Sequence, residues 1–151
     1  MVAFLLFSFG CEKGRPQEEV VIGLDGTLST LDPRLAIGAR AERISPLIYS
    51  SLLELDERGR LVPDLAEEWR QLGPTTYFFR IKRGVRFHDG KELTAYDVKA
   101  TFDFILDPKN ASPKRGSLEP LKGIEVPDPY TVLFVLKRVY VPFPFTLTVG
   151  I

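Results

Sequence analysis

The sequence predicts a mixed α/β domain, and three observations carry that prediction. Tyr77, Phe79 and Ile81 fall on one face of Tyr77-Phe78-Phe79-Arg80-Ile81-Lys82 at the period of a strand. Ala95, Val98, Phe102 and Ile105 recur at helical spacing and line one face of a helix. Segments of the two kinds follow one another without strict βαβ alternation, the pattern of an α/β or α+β domain.

The chain opens on Val2 to Phe9, a nearly continuous apolar run. At about 1.5 Å per helical residue it is far too short to cross a hydrocarbon layer of roughly 30 Å. Gly10 and Cys11 follow, then the polar Glu12 to Glu19. That order suits an export signal, a processing site and a tether, so residues 1–18 are assigned to a lipoprotein-like signal with lipidation at Cys11 and residues 19–151 to the globular part. Stable anchoring to the membrane would need several acyl chains, because one holds only marginally.

Val20-Val21-Ile22-Gly23 reads as a short buried strand and the stretch after Gly26 as loop. Ser45-Pro46 reads as an N-cap and first helical residue, with Leu47, Ile48, Ser51 and Leu52 on one face of a helix ending near Leu55. Asp56-Glu57-Arg58-Gly59 is a turn, and Leu61-Val62-Pro63 is extended. Pro63 is expected to open a short helix whose inner face carries Leu65, Ala66 and Trp69, with Trp69 as a core anchor. Val85 and Phe87 continue the strand pattern beyond Gly84, and His88-Asp89-Gly90 supplies a turn in which Asp-Gly tolerates positive φ. Thr94 with Asp97 three residues on offers an approximate capping box, and Asp107-Pro108 stops the helix. Lys109 to Ser117 is a polar loop, and Gly123 to Val126 with Thr131 to Leu136 reads as a β-hairpin. Val139 to Ile151 is strongly apolar and lacks a polar tail, so a cut end and an exposed, aggregation-prone surface are expected there.

Composition excludes several functions. The 20 Lys and Arg balance 20 Asp and Glu, so no overall field favours nucleic acid. Arg80, Lys82, Arg83 and Arg86 alternate with apolar residues as the solvated face of a strand pair would. One cysteine and one histidine leave no parts for a disulfide framework, a Cys-rich zinc site or a His-based metal cluster, and no cofactor is implied.

Several motifs in fixed order carry a family resemblance. They are Leu61-Val62-Pro63-Asp64-Leu65-Ala66-Glu67-Glu68-Trp69, then Tyr77 through Gly90, then Leu93-Thr94-Ala95-Tyr96-Asp97-Val98. Leu31-Asp32-Pro33, Ile48-Tyr49-Ser50-Ser51-Leu52-Leu53 and the loop from Asp107-Pro108 to Ser112-Pro113 support them. Together they resemble the family 5 extracellular solute-binding proteins, the oligopeptide-, dipeptide- and nickel-binding components of ABC importers. The resemblance implies a two-lobed clamshell of the periplasmic-binding-protein type II kind, of which this chain would be the N-terminal part with the second lobe absent. It also implies an exported, lipid-anchored monomer that delivers a small solute, peptide being the expected class, to ABC permease subunits.

By the same resemblance, Leu31, Asp32 and Ser112 approach the cleft. Relatives often carry aromatics after the Ser-Pro pair, whereas Lys114 and Arg115 follow here. These two cations are either solvated loop charges or favour a ligand with a carboxylate or other anionic group, at about 1.5–3 kcal/mol per charge-assisted hydrogen bond if desolvated. The competing readings are a peptide-sensing or peptide-presenting lipoprotein, a truncated product, and, most remotely, a hydrolase using His88 and Asp89. That pair sits in a turn with no assignable serine or cysteine partner, so no catalytic residue is named.

Overall fold

The computed structural model describes residues 21–151; Cys11 and the signal assigned around it lie outside them. Val21 and Ile22 are exposed rather than paired in the expected buried strand, of which Val20 also lies outside the described residues. Apolar residues alone do not make a strand: the ladder needs a partner, and none among the described residues pairs with this segment.

The first helix is α1, Ala39–Ile48. It lies earlier than the helix expected from Ser45-Pro46, and Pro46 occupies its last turn instead of its first. Beyond Ile48 the chain leaves the helix, so Leu52, in a bend, and Leu53, at the start of a strand, both fully buried, reach the core from outside any helix. β1 (Leu53–Leu55) and β2 (Leu61–Pro63) form an antiparallel pair around the Asp56 turn. There the Asp56 carboxylate accepts from the backbone N–H groups of Arg58 and Arg60, both at 2.9 Å.

The expected helix after Pro63 is replaced by β3, Ala66–Gly73, antiparallel to β4, Thr76–Ile81. Ala66 faces Ile81 and Trp69 faces Phe79, so three residues of β3 span two of β4. This β-bulge puts Ala66 and Trp69 on the same side of the sheet at a spacing of three, which imitates helical periodicity. Trp69 is half-buried and stacks on Phe79 at 5.9 Å, and Leu65 and Ala66 are buried as expected.

Tyr77, Phe79 and Ile81 all face the core from β4. Val85 and Phe87 are half-buried, but in place of a strand this loop carries an isolated Arg86–Glu92 bridge and local hydrogen bonds such as that from the Phe87 N–H to the Lys91 carbonyl at 2.9 Å. Gly84 and Gly90 take φ of 73° and 86°, values that favour glycine at these two turns.

Helix α2, Ala95–Leu106, follows. The Asp97 carboxylate accepts from the Thr94 N–H and hydroxyl, both at 2.8 Å, which secures the first turn as the Thr94–Asp97 spacing predicts. Asp107 ends the helix and caps a short 3₁₀ turn, accepting from the Lys109 N–H at 2.9 Å. β5 (Leu121–Asp128) and β6 (Thr131–Leu136) complete the hairpin. The sheet order is β3-β4-β6-β5, antiparallel throughout, with α2 against β5 and β6.

Phe134 is the centre of the core. Phe79, Phe102 and Phe143 surround its ring at 5.6, 5.2 and 5.6 Å, the first two edge-on. Phe143 comes from the segment expected to be exposed. Val139, Val141 and Phe145 are indeed exposed, but Phe143, Pro144, Leu147 and Gly150 are buried. Within the 3₁₀ turn Phe143–Leu147, Phe143 and Leu147 pack into the core and Phe145 faces solvent.

Candidate functional site

The site is built where an early turn meets the loop after α2. Asp32 makes the turn: its N–H donates to Thr30 Oγ1 at 3.0 Å, and its carbonyl accepts from the Leu35 and Ala36 N–H groups. Its carboxylate binds a single neighbour, Arg34. Oδ1 accepts from the Arg34 backbone N–H and Nε, both at 2.9 Å, and Oδ2 from an η nitrogen at 2.7 Å. These bonds hold the Asp32 carboxyl below its ordinary value and push Arg34 upward, so both stay charged.

Arg34 then joins two parts of the chain. Its guanidinium lies 3.8 Å from the centroid of the Phe104 ring on α2. Its main-chain carbonyl accepts the Ser112 hydroxyl at 2.6 Å across 78 positions of sequence. Ser112 is buried, and its oxygen also accepts from the Lys114 N–H at 3.3 Å. The structure thus brings Asp32 and Ser112 together through Arg34, a residue that the sequence reading did not select. The available signal was the spacing Asp32-Pro33-Arg34, since an aspartate that caps a backbone N–H two residues on makes an Asx turn.

Leu31 stands beside this junction with half its surface exposed. Lys114 is half-buried and makes no ion pair among the described residues. Arg115 is exposed, with Nε donating to the Leu106 carbonyl at 3.0 Å. Ser112 and Arg115 border a groove of about 530 Å³ that also involves Leu106, Leu118, Leu121 and Lys137. Its mixed apolar and cationic lining can hold a small ligand by an apolar contact on one side and hydrogen bonds on the other.

The remaining chemistry-bearing residues stay apart from this junction. His88 and Asp89 are exposed on their turn, where Asp89 pairs with Lys91 at 3.0 Å. Arg80 lies 3.8 Å from Glu68, Arg83 covers the Tyr130 ring, and Arg86 donates to the Gly90 carbonyl, so this basic run serves local contacts. Among the described residues no group of three or more His, Cys, Asp or Glu side chains could hold a metal ion. No helix among them is long and apolar enough to cross a membrane.

The family model of bacterial extracellular solute-binding proteins, family 5 Middle, matches residues 60–150, and the chain belongs to that family.

Oligopeptide-binding protein AppA of Bacillus subtilis is 38% identical over 128 residues, covering 82% of this chain and 23% of that protein. The AppA structure in complex with a nonapeptide matches with a TM-score of 0.74 at 33% identity, over 83% of this chain and 25% of that one. Glutathione-binding protein GsiB of Escherichia coli O1:K1 is 30% identical over 127 residues, covering 83% of this chain and 25% of that protein. The structure of AgaA from A. tumefaciens R10, in complex with agropinic acid, matches with a TM-score of 0.77 at 30% identity, over 83% of this chain and 26% of that one. The chain spans about a quarter of the length of these relatives. The mixed α/β fold read from the sequence is therefore that of the solute-binding proteins.

Proposed function

We propose that this chain is part of the extracytoplasmic substrate-binding component of an ABC importer, and that its solutes are peptides or similarly small molecules. The observation that carries the reading is the joint match of family and fold, with a relative named for oligopeptide binding at 38% identity. Within that reading Leu31, Asp32, Ser112, Lys114 and Arg115 belong to the wall that approaches the solute. Asp32 and Ser112 shape the wall through Arg34, while Leu31, Lys114 and Arg115 offer it side chains.

Residues 1–18 serve as signal and tether, Cys11 carries the lipid, and residues 19–151 form part of a first lobe. The partners are ABC permease subunits and the membrane beneath the anchor, and the protein acts as a monomer without nucleic acid, metal or cofactor.

Native mass spectrometry of the full-length protein, incubated with a mixed peptide library, tests the solute. Peptide adducts on the intact protein are expected; a protein that retains no peptide while retaining another solute class from a cell extract moves the assignment to that class. Retention of nothing overturns the reading. Detergent phase partitioning tests the anchor, with a Cys11→Ser variant expected to leave the detergent phase.

A further inference from the structure

The groove beside Ser112 holds an imbalance of charge that its own contacts do not resolve. Its floor is apolar, with Leu118 and Leu121 buried and Leu106 half-buried. Its rim carries Arg115, Lys137 and Glu119. The Glu119 carboxylate is occupied by Arg138, whose η nitrogens lie 2.8 and 3.5 Å from its two oxygens. Lys137 donates to the Glu119 main-chain carbonyl at 2.7 Å and stays 3.8 Å from the carboxylate. Arg115 is held by its Nε on the Leu106 carbonyl, so the orientation of the guanidinium is set while its η nitrogens have no hydrogen-bond partner among the described residues. Two cations, Arg115 and Lys137, thus border an apolar floor whose one carboxylate is already engaged by Arg138.

Charge complementarity selects the occupant. An anion with planar oxygens suits the free edge of a guanidinium, which can donate two parallel hydrogen bonds, and a short hydrocarbon part suits the leucine floor. We propose that this groove is a subsite for the carboxylate of a solute that carries a short apolar chain, with Arg115 and Lys137 as the residues that bind it. The proposal deepens the importer reading and rests on it for the origin of the ligand. The chemistry of the groove can be tested without that reading.

The probe is hexanoate, with hexanamide as its uncharged match, added to the full-length protein at low salt and followed by amide NMR shifts. Hexanoate is expected to shift the amides of Ala111, Gly116, Leu121 and Lys137, and hexanamide to leave them in place. Arg115→Gln is expected to weaken hexanoate about tenfold, the effect of losing about one charge-assisted hydrogen bond. Glu119→Gln is expected to tighten it by removing the competing carboxylate, an opposite change that mere loosening of the loop does not produce. Arg70→Gln, on β3, is expected to change nothing.

Equal responses to the two probes, or an Arg115→Gln variant that binds hexanoate as the parent does, overturn the proposal. A full-length protein that captures solute while its groove ignores hexanoate removes the groove and leaves the importer reading. A groove that binds hexanoate in a full-length protein that captures no solute supports the groove and removes the importer reading alone.

Discussion

The sheet with α2 and the arm from Asp25 to Ile48 are held by different forces. On the sheet side, Phe79, Phe102, Phe134 and Phe143 are fully buried against one another. Each such burial is worth about 1.5–3 kcal/mol relative to exposure, and the rings lock together in edge-on and tilted pairs. The arm buries little more than Pro33, Ala36 and Ala41, and leaves Ile37 and Leu47 exposed. What fixes it is polar: Asp32 on Arg34, Ser112 on the Arg34 carbonyl, and Arg40 on Asp25 at 2.9 Å. Exposed pairs of the last kind contribute about 0–1 kcal/mol, and a net intramolecular hydrogen bond about 0.5–1.5 kcal/mol. The geometry of the site therefore depends on a weakly held element pressed against a strongly held one.

The comparison breaks most visibly at the centre of the core. Phe134→Ala is expected to cost about 3–5 kcal/mol and to unfold sheet and arm together, as read from the midpoint of a urea titration. A loss below about 1 kcal/mol would mean that the aromatic cluster is not what holds the sheet. Gly150→Ala strikes the seam between the two regions. Its new Cβ would lie 2.6 Å from the Tyr49 Cβ and 3.2 Å from the Pro33 Cβ, and backbone would have to move. Overpacking of this kind costs about 1–3 kcal/mol, and thermal unfolding of the variant measures it.

Ser112→Ala sharpens the comparison further, because it removes one link of the arm and touches none of the core rings. Global stability is expected to fall by about 1 kcal/mol at most, whereas hydrogen exchange of the Leu35 and Ala36 amides, both bonded to the Asp32 carbonyl, should quicken. Unchanged exchange at these amides would show that the arm does not hang on Ser112.

The same contrast governs what could be read from sequence. Tyr77, Phe79 and Ile81 announce β4, and Ala95, Val98, Phe102 and Ile105 announce α2, because each set buries one face and burial writes its period into the chain. Helix α1 has only Ala41 buried, so it carries no apolar stripe, and Pro46 in its last turn invited the opposite assignment. β3 was hidden by its bulge, which spaces Ala66 and Trp69 as a helix would. Asp32 and Ser112, as candidates for the wall of a site, could be picked out in the sequence through the family resemblance. The bond that unites them was not, since a hydroxyl meeting a backbone carbonyl 78 positions away leaves no local pattern.

The smallest expected effect isolates charge from geometry within the arm. Asp32→Asn keeps an oxygen able to accept from the Arg34 N–H but removes the negative charge, and at neutral pH the loss should be below about 1 kcal/mol because the pair is partly exposed. The sign of its pH dependence follows from the lowered carboxyl. A carboxyl whose folded value lies beneath its ordinary 3.8 contributes stability that is present above 3.8 and is lost as pH falls through the lowered value. The parent should therefore exceed the variant near neutrality, and the two should converge in acid once Asp32 is protonated. Urea titrations from pH 7 down to about pH 2, with the Leu35 and Ala36 amides followed in parallel, separate the outcomes. Convergence assigns the contact to the ion pair with Arg34. A gap that stays constant across the range assigns it to the shape of the turn, in which case the arm is held by backbone geometry and salt should not loosen it.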